Sequence, residues 1–263
     1  MKYKLLVLND MHIAPNGELY HGKDSGDIFR RSLHILIHQQ RPDLLVLNGD
    51  LCAKEPDSRV YHEIASICRH FDLPFLALPG NHDDPEIMKN TLPLPETVFR
   101  NAGAKDLLIN PADPYCGWAK LHNWGFLWIN SFDHSVSREQ MDWLEANKDS
   151  FTTAYGNLVF IHHPPIRVPS VFMENRYPLK DRDKVWKVLR ELPKLRRLFC
   201  GHYHRRWDDP DEPVSMVSSS LYSIHPEAKE HMVDHCNPGF CRIKLGKKLE
   251  YTIAELPENM LQL

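Results

Sequence analysis

Five short stretches of the chain are apolar throughout or nearly so: residues 4–8 (KLLVL), 44–47 (LLVL), 75–78 (FLAL), 158–161 (LVFI) and 197–200 (RLFC). Each has the length of one strand. The absence of polar–apolar alternation predicts strands covered on both faces, as in a largely parallel sheet. Helical patterns lie between them. Ile28, Phe29, Leu33, Leu36 and Ile37 form one face of a helix that Pro42 ends, and Val60, Tyr61, Ile64, Ile67, Cys68 and Phe71 form another. Asp84 followed by Pro85 predicts a capped helix start, and Ser137 with Gln140 has the spacing of a capping box. Strand–helix alternation of this kind implies βαβ units.

The middle and the tail read differently. Residues 118–130 (WAKLHNWGFLWIN) predict a hairpin turning at Asn123–Gly125. Residues 214–219, 239–245 and 249–256 predict antiparallel strands, so a second sheet is expected beside the first. No repeat, low-complexity segment or linker divides the chain, which predicts a single domain over 1–263.

Polar residues of metal-binding type follow each of the five buried strands at once. Asp10 and His12 follow the first, Gly49 and Asp50 the second, and Gly80, Asn81, His82 and Asp83 the third. His162 and His163 follow the fourth, and Gly201, His202 and His204 the fifth. Taken singly, each has an ordinary explanation: a lone Asp there is usually a cap or turn residue, and Pro164–Pro165 alone accounts for a turn. Jointly they occupy one structural slot five times. Ligands in open α/β sheets bind outside the carboxyl ends of the strands, so parallel strands would bring these residues to one edge.

Asp10, His12, Asp50, Asn81, His162, His202 and His204 make seven candidate ligands. An open mononuclear site typically uses three, whereas seven suit two ions that share a carboxylate. His202 and His204, two apart, have Cα atoms roughly 6.5 Å apart in extended backbone, a span that lets them serve neighbouring ions. Two divalent ions bring four positive charges and Asp10 with Asp50 offset two, leaving room for a bridging hydroxide and a singly charged phosphodiester. His82 is then the candidate for stabilising or protonating the leaving oxygen. Asp83 either orients an imidazole or caps the next helix, and His163 is expected to hydrogen-bond behind the ligands rather than add to them.

The ordered blocks Asp10-Met11-His12, Gly49-Asp50, Gly80-Asn81-His82-Asp83, His162-His163 and Gly201-His202-Tyr203-His204 resemble the calcineurin-like metallophosphoesterase superfamily. LPGNHDDPEIM, FIHHPP and the tail resemble its small bacterial cyclic-nucleotide and glycerophosphodiester phosphodiesterases (the class III branch). The resemblance implies a four-layer α-β-β-α sandwich with two mixed β-sheets and helices outside. It places Asp10, His12, Asp50 and His204 on one metal, and Asp50, Asn81, His162 and His202 on the other. It implies His82 as catalytic acid or transition-state stabiliser, with Asp50 also at the reacting centre. Two divalent ions are therefore expected, with Mn, Fe or Zn suiting these donors, and the expected reaction is phosphodiester hydrolysis by a metal-bound hydroxide. Phosphomonoester or phosphoprotein hydrolysis is the alternative, and a non-catalytic scaffold is disfavoured because no ligand is missing. The chain departs from the branch at 179–181, which reads Leu-Lys-Asp where Leu-x-Asn is usual.

Segment 166–181 is the candidate lid or substrate-contact segment, carrying Arg167, Arg176 and Tyr177 as substrate contacts beside Phe172 and Met173. Asn81 and His82 are expected to touch substrate as well. Composition narrows the partners. A net charge of -3 comes with no basic run to grip a phosphate backbone, so nucleic acid is not an expected partner. Nothing approaches the ~18 consecutive apolar residues of a membrane span. Six scattered cysteines without a CxxC, and an N-terminal apolar run too short for a secretory signal, predict reduced thiols and a cytoplasmic location. The expected partner is a small-molecule phosphate ester; the sequence carries no signature of oligomeric state.

Overall fold

A computed structural model describes residues 2–262. The chain begins with β1 (Tyr3–Leu8), a ribbon of β2 (Leu19–Tyr20) and β3 (Lys23–Asp24), α1 (Ser25–Gln40), β4 (Leu44–Asn48), α2 (Ser58–His70), β5 (Phe75–Leu78), α3 (Pro85–Lys89) and α4 (Pro95–Asn101). It continues through β6 (Asp106–Asn110), β7 (Asp113–Leu121), β8 (Trp124–Ile129), α5 (Arg138–Asn147), β9 (Gly156–Ile161), α6 (Val171–Arg176), α7 (Arg182–Leu189) and β10 (Leu195–Cys200). β11 (Trp207–Asp208), β12 (Val214–Met216), β13 (Gly239–Leu245) and β14 (Leu249–Glu255) complete the sheets.

Two mixed sheets form. The first has the order β14-β13-β1-β4-β5, with β1, β4 and β5 parallel and the β13–β14 hairpin added antiparallel to β1. The second has the order β11-β12-β10-β9-β8-β7-β6, with β8, β9, β10 and β12 parallel. The five buried strands are therefore divided three and two between sheets and do not share one edge. The tail is divided as well: 239–255 extends the first sheet, whereas Val214–Met216 joins the second and runs parallel to β10, correcting the antiparallel expectation. Pairing with β10 buries all three residues, and only the two-residue β11 pairs with β12 antiparallel.

Side-chain alternation along the second sheet sets the layers. Trp124, Phe126, Trp128, Leu158, Phe160 and Phe199 join the core shared with β1, β4 and β5. Their neighbours Leu127, Ile129, Val159, Ile161, Leu198 and Cys200 instead pack with Leu144 of α5 and Val185, Val188 and Leu189 of α7. Period-two orientation sends successive residues to opposite faces, so both faces must be apolar. α1 and α2 pack on the first sheet through Phe29, Leu33, Leu36, Val60, Ile64 and Cys68. The result is the helix–sheet–sheet–helix sandwich. Each large side chain buried this way contributes roughly 1.5–3 kcal/mol.

Local rules hold with two amendments. Asp84 caps α3 by accepting from Glu86 N and Ile87 N, with Pro85 at the first helical position. Ser137 caps α5 through Gln140 N, but Gln140 does not return the bond. Its side chain turns inward and clamps the backbone of Asn130, accepting from N at 3.1 Å and donating to O at 3.0 Å. The β7–β8 turn is His122–Asn123, both left-handed, and Gly125 lies inside β8.

Two amides join the sheets at the end where the parallel strands finish. Asn9 Nδ2 donates to Cys200 O at 2.8 Å, and Asn48 Nδ2 donates to Ile161 O at 3.2 Å and Phe199 O at 3.4 Å. Both asparagines are fully buried. Replacing Asn48 by Ala leaves those carbonyls without the donor, so Asn48→Ala should lower unfolding free energy by about 1–3 kcal/mol. Urea denaturation measures it; an unchanged midpoint would remove Asn48 from the tie between sheets.

Candidate metal centre

The strand ends do not stop at the sheet edge. After β1 and β4 the two chains stay paired, with Asp10 N donating to Gly49 O, His12 N to Asp50 O and Ile13 N to Leu51 O at 2.8–3.0 Å. The backbone nevertheless turns left-handed at Asp10 (φ 52°), His12 (45°), Asp50 (52°), His202 (70°) and His204 (52°). This region costs L-residues roughly 1–2 kcal/mol each, and such strain collects at functional sites. Gly201 permits the close approach: a Cβ there would lie 2.6 Å from Asn9 Nδ2 and 2.7 Å from Asp10 Oδ2. Gly49 does the same on the facing loop, where a Cβ would meet His162 Nδ1 at 2.2 Å.

Asp83 holds the loops together. Its carboxylate accepts from Gly80 N at 2.9 Å, Leu51 N at 3.0 Å, Cys52 N at 3.2 Å and the Tyr61 hydroxyl at 3.2 Å. It neither orients an imidazole nor caps α3, the two roles the sequence left open. Asp50 Oδ1 accepts from His82 N at 3.0 Å, and the Asp10 carboxylate accepts from His202 N at 3.0 Å. Each carboxylate is thus aimed by a backbone N–H from another loop.

Six of the seven predicted ligands fall into two groups that meet at Asp50. Asp10, His12, Asp50 and His204 form one, and Asp50, His162 and His202 the other, with ligating atoms of each group within 4.8 Å of one another. His12 Nε2 faces His204 Nε2 at 2.9 Å and Asp50 Oδ2 at 3.7 Å. His204 Nε2 lies 3.5 Å from Asp10 Oδ1, and His162 Nε2 lies 3.3 Å from Asp50 Oδ2 and 3.8 Å from Asp10 Oδ1. Two of these candidate ligands have their tautomers set from behind. His162 Nδ1–H donates to Asn48 O at 2.9 Å, which turns the Nε2 lone pair to the centre, and His202 Nε2–H donates to Tyr177 O at 2.9 Å, which frees Nδ1. His162 Nε2, His202 Nδ1 and the seventh residue's Asn81 Oδ1 are buried with no hydrogen-bond partner. The unpartnered His202 Nδ1 and Asn81 Oδ1 beside two carboxylates fit a divalent metal, and His162 Nε2, 3.3 Å from Asp50 Oδ2, would join them once its proton leaves.

The charges agree. Burial pushes Asp10 up to about 8, with His162 opposing and the Asp50 charge adding. Burial also raises Asp50, but the His162 imidazolium outweighs it and holds Asp50 well below the usual carboxylate range. His162 is raised to about 9, its desolvation outweighed by the Asp50 and Asp10 carboxylates. Burial lowers His12 to about 4 and depresses His202 and His204, keeping these rings in the neutral form that ligates metal.

A cleft of about 500 Å³ opens over the cluster, and Asp50, Asn81, His82, His202 and His204 reach its wall. His82 Nδ1–H donates to Lys54 O at 2.7 Å, and its ring meets His12 edge-on. Of the predicted substrate contacts, Tyr177 lines the cleft with Phe172 and Met173, while Arg167 and Arg176 are exposed and are not among its lining residues. Tyr20, His21 and His134 line it without having been expected there. His134 had a signal: it follows β8, whose carboxyl end lies beside that of β9. Tyr20 ends the two-residue β2 and His21 lies in the turn after it, with no periodicity to reveal either. His163 is buried and hydrogen-bonds Ser131 and His134, behind the ligands as expected.

The sequence model described as Calcineurin-like phosphoesterase matches residues 3–206. A probable cyclic nucleotide phosphodiesterase of Fibrobacter succinogenes is 28% identical over 213 residues, 80% of this chain and 77% of that protein. The 3',5'-cyclic adenosine monophosphate phosphodiesterase CpdA of Escherichia coli K12 is 26% identical over 254 residues, 93% of this chain and 86% of that protein. A probable glycerophosphodiester phosphodiesterase GpdQ of Arcobacter nitrofigilis is 25% identical over 220 residues, covering 76% and 71%. The fold is similar to that of a dimetal phosphatase from Danio rerio (TM-score 0.55, 13% identity, 97% of this chain and 99% of that one). It is also similar to a purple acid phosphatase from yellow lupin (TM-score 0.61, 12% identity, 100% and 55%). With these candidate ligands at the ends of these strands, the chain belongs to the calcineurin-like phosphoesterase family and is a phosphoric ester hydrolase.

Proposed function

We propose that the chain is a dinuclear metal-dependent phosphodiesterase acting on a cyclic nucleotide or another small phosphodiester. The observation that carries this reading is the position of Asp50, common to both groups of ligating atoms. Asp10, His12, Asp50 and His204 would hold one ion, and Asp50, Asn81, His162 and His202 the other. Imidazole, carboxylate and amide donors without a thiolate suit Mn, Fe or Zn. Divalent ions bound there supply Lewis acidity toward a phosphoryl oxygen and an activated water at neutral pH. The names of the curated relatives, phosphodiesterases for cyclic nucleotides or glycerophosphodiesters, support a diester.

The protein's own part follows from its hydrogen bonds. Asp10 and Asp50, each aimed by a backbone N–H, offset two of the four positive charges and leave the site attractive to a singly charged diester. The bond from Nδ1 to Lys54 O fixes the His82 ring, so its Nε2 is the atom that serves the cleft. In the imidazolium form, which carries a proton on both nitrogens, that atom would stabilise or protonate the departing oxygen. Segment 166–181 would contact substrate through Phe172, Met173 and Tyr177.

Turnover of bis(p-nitrophenyl) phosphate against p-nitrophenyl phosphate in the presence of Mn²⁺ tests the reading. The diester should be the faster substrate; faster monoester hydrolysis overturns the choice. His82→Ala should cut kcat by roughly 10²–10⁴-fold with metal content unchanged, and loss of metal would show that His82 is a ligand. Asn81→Ala should weaken metal binding, read as a lower metal-to-protein ratio after dialysis. Metal loading should also respond to pH. Asp10 and His162, raised to about 8 and about 9, carry protons that an incoming cation displaces, so affinity should increase as pH rises through about 6 to 9. Calorimetry in buffers of different ionisation enthalpy measures the released protons, and an affinity flat over that window contradicts the charge assignment.

A further inference from the structure

Behind the ligands runs a chain of three hydrogen-bonded side chains. The Ser131 hydroxyl lies 2.9 Å from His163 Nδ1, and His163 Nε2 lies 3.1 Å from His134 Nδ1. The tautomers follow from the network. Ser131 Oγ accepts from His163 N at 3.2 Å, and among its side-chain contacts His163 Nδ1 is the acceptor available to its single proton. His163 is then protonated on Nε2 and donates to His134 Nδ1, and the neutral His134 carries its proton on Nε2. Nδ1 and Nε2 lie on opposite sides of the ring. Nδ1 is bound to the buried His163, and His134 lines the cleft.

The loop that carries His134 is fastened on its other side as well. Lys180 N donates to His134 O at 2.8 Å, Lys180 Nζ to Asp133 O at 3.1 Å, and Val136 N to Asp181 Oδ2 at 3.1 Å. These contacts come from the 179–181 element at which the chain departs from the usual pattern. His134 is itself held left-handed at φ 54°, like five of the ligands. Its ring meets His202 edge-on at 5.4 Å, whereas His82 meets His12. The cleft thus has an imidazole beside each group of ligands.

We propose that His134 is a substrate-binding residue that donates its Nε2–H to a phosphoryl oxygen, with Ser131 and His163 as positioning residues that fix its tautomer. The inference rests on the phosphoesterase reading of the cleft. A neutral donor held by a buried relay binds the phosphoryl group without adding charge to a site already rich in cations, and it complements His82, whose task is the leaving oxygen.

Steady-state kinetics with bis(p-nitrophenyl) phosphate, competitive inhibition by inorganic phosphate, and metal content of the Mn²⁺-loaded protein test it. His134→Ala should lower kcat/KM by roughly 10²-fold and weaken phosphate inhibition, with metal content equal to wild type. His134→Gln, which keeps an N–H donor, should recover at least about tenfold of that loss, and Ser131→Ala should cause a smaller loss of the same kind. The assignment is overturned by unchanged kcat/KM in His134→Ala, by metal loss in that variant, or by His134→Gln performing no better than His134→Ala. A wild-type protein that turns over neither the diester nor p-nitrophenyl phosphate would overturn the functional reading itself, and this inference with it. Normal wild-type turnover with an indifferent His134→Ala removes only the role of His134.

Discussion

The structure depends on two asparagine amides that cross from one sheet to the other. Asn9 follows β1 and Asn48 ends β4, and their side chains donate to carbonyls at the ends of β9 and β10. Without that tie the two sheets would still share an apolar core, whose contact is non-directional, and a bond near the start of β1 from Trp124 Nε1–H to Gly246 O at 2.9 Å. The register matters because neither sheet owns a complete site. The first supplies Asp10, His12, Asp50 and Asn81, and the second supplies His162, His202 and His204. The same Asn48 also accepts the Nδ1 proton of His162 on its backbone carbonyl, so one residue aligns the sheets and orients a ligand.

The arrangement is costly and is stabilised elsewhere. Left-handed backbone at five candidate ligands, two buried carboxylates and several orphaned lone pairs all disfavour folding. Two apolar cores flanking the second sheet outweigh them, and a bound cation would add stability by mass action. This is the usual relation between a rigid scaffold and a strained site: the core is large so that the strand ends can be unfavourable.

Much of this was legible in the sequence, for a physical reason. A strand buried on both faces is written as an unbroken apolar run, and the residue type after it is free to serve chemistry. The five ends and the seven ligand candidates were therefore visible. Which sheet each strand enters was not, because a buried parallel strand looks alike in either; hence the three-and-two division and the parallel setting of Val214–Met216. Asp83 escaped because its partners are backbone amides from residues 51, 52 and 80, which leave no trace in side-chain pattern. Gln140 kept its spacing but found a better use in the Asn130 backbone. Arg167 and Arg176 carried the right charge for a phosphate, but residue type alone does not place a side chain in a cleft. His134 was overlooked since the hairpin reading of 118–130 treated its strand as a turn partner rather than as a neighbour of β9.

The bond from His202 to the Tyr177 carbonyl ties two properties that are usually treated as separate. Tyr177 lies on the stretch that walls the cleft, yet its backbone decides which nitrogen of His202 carries a lone pair. If His202 holds an ion as proposed, a ligand that shifts this stretch would alter the grip on that ion, and by reciprocity the ion would alter the affinity for that ligand. Selectivity and metal retention would then be one linked trait: divergence in the wall sequence, under selection for a new ester, would retune the ion affinity at the same time.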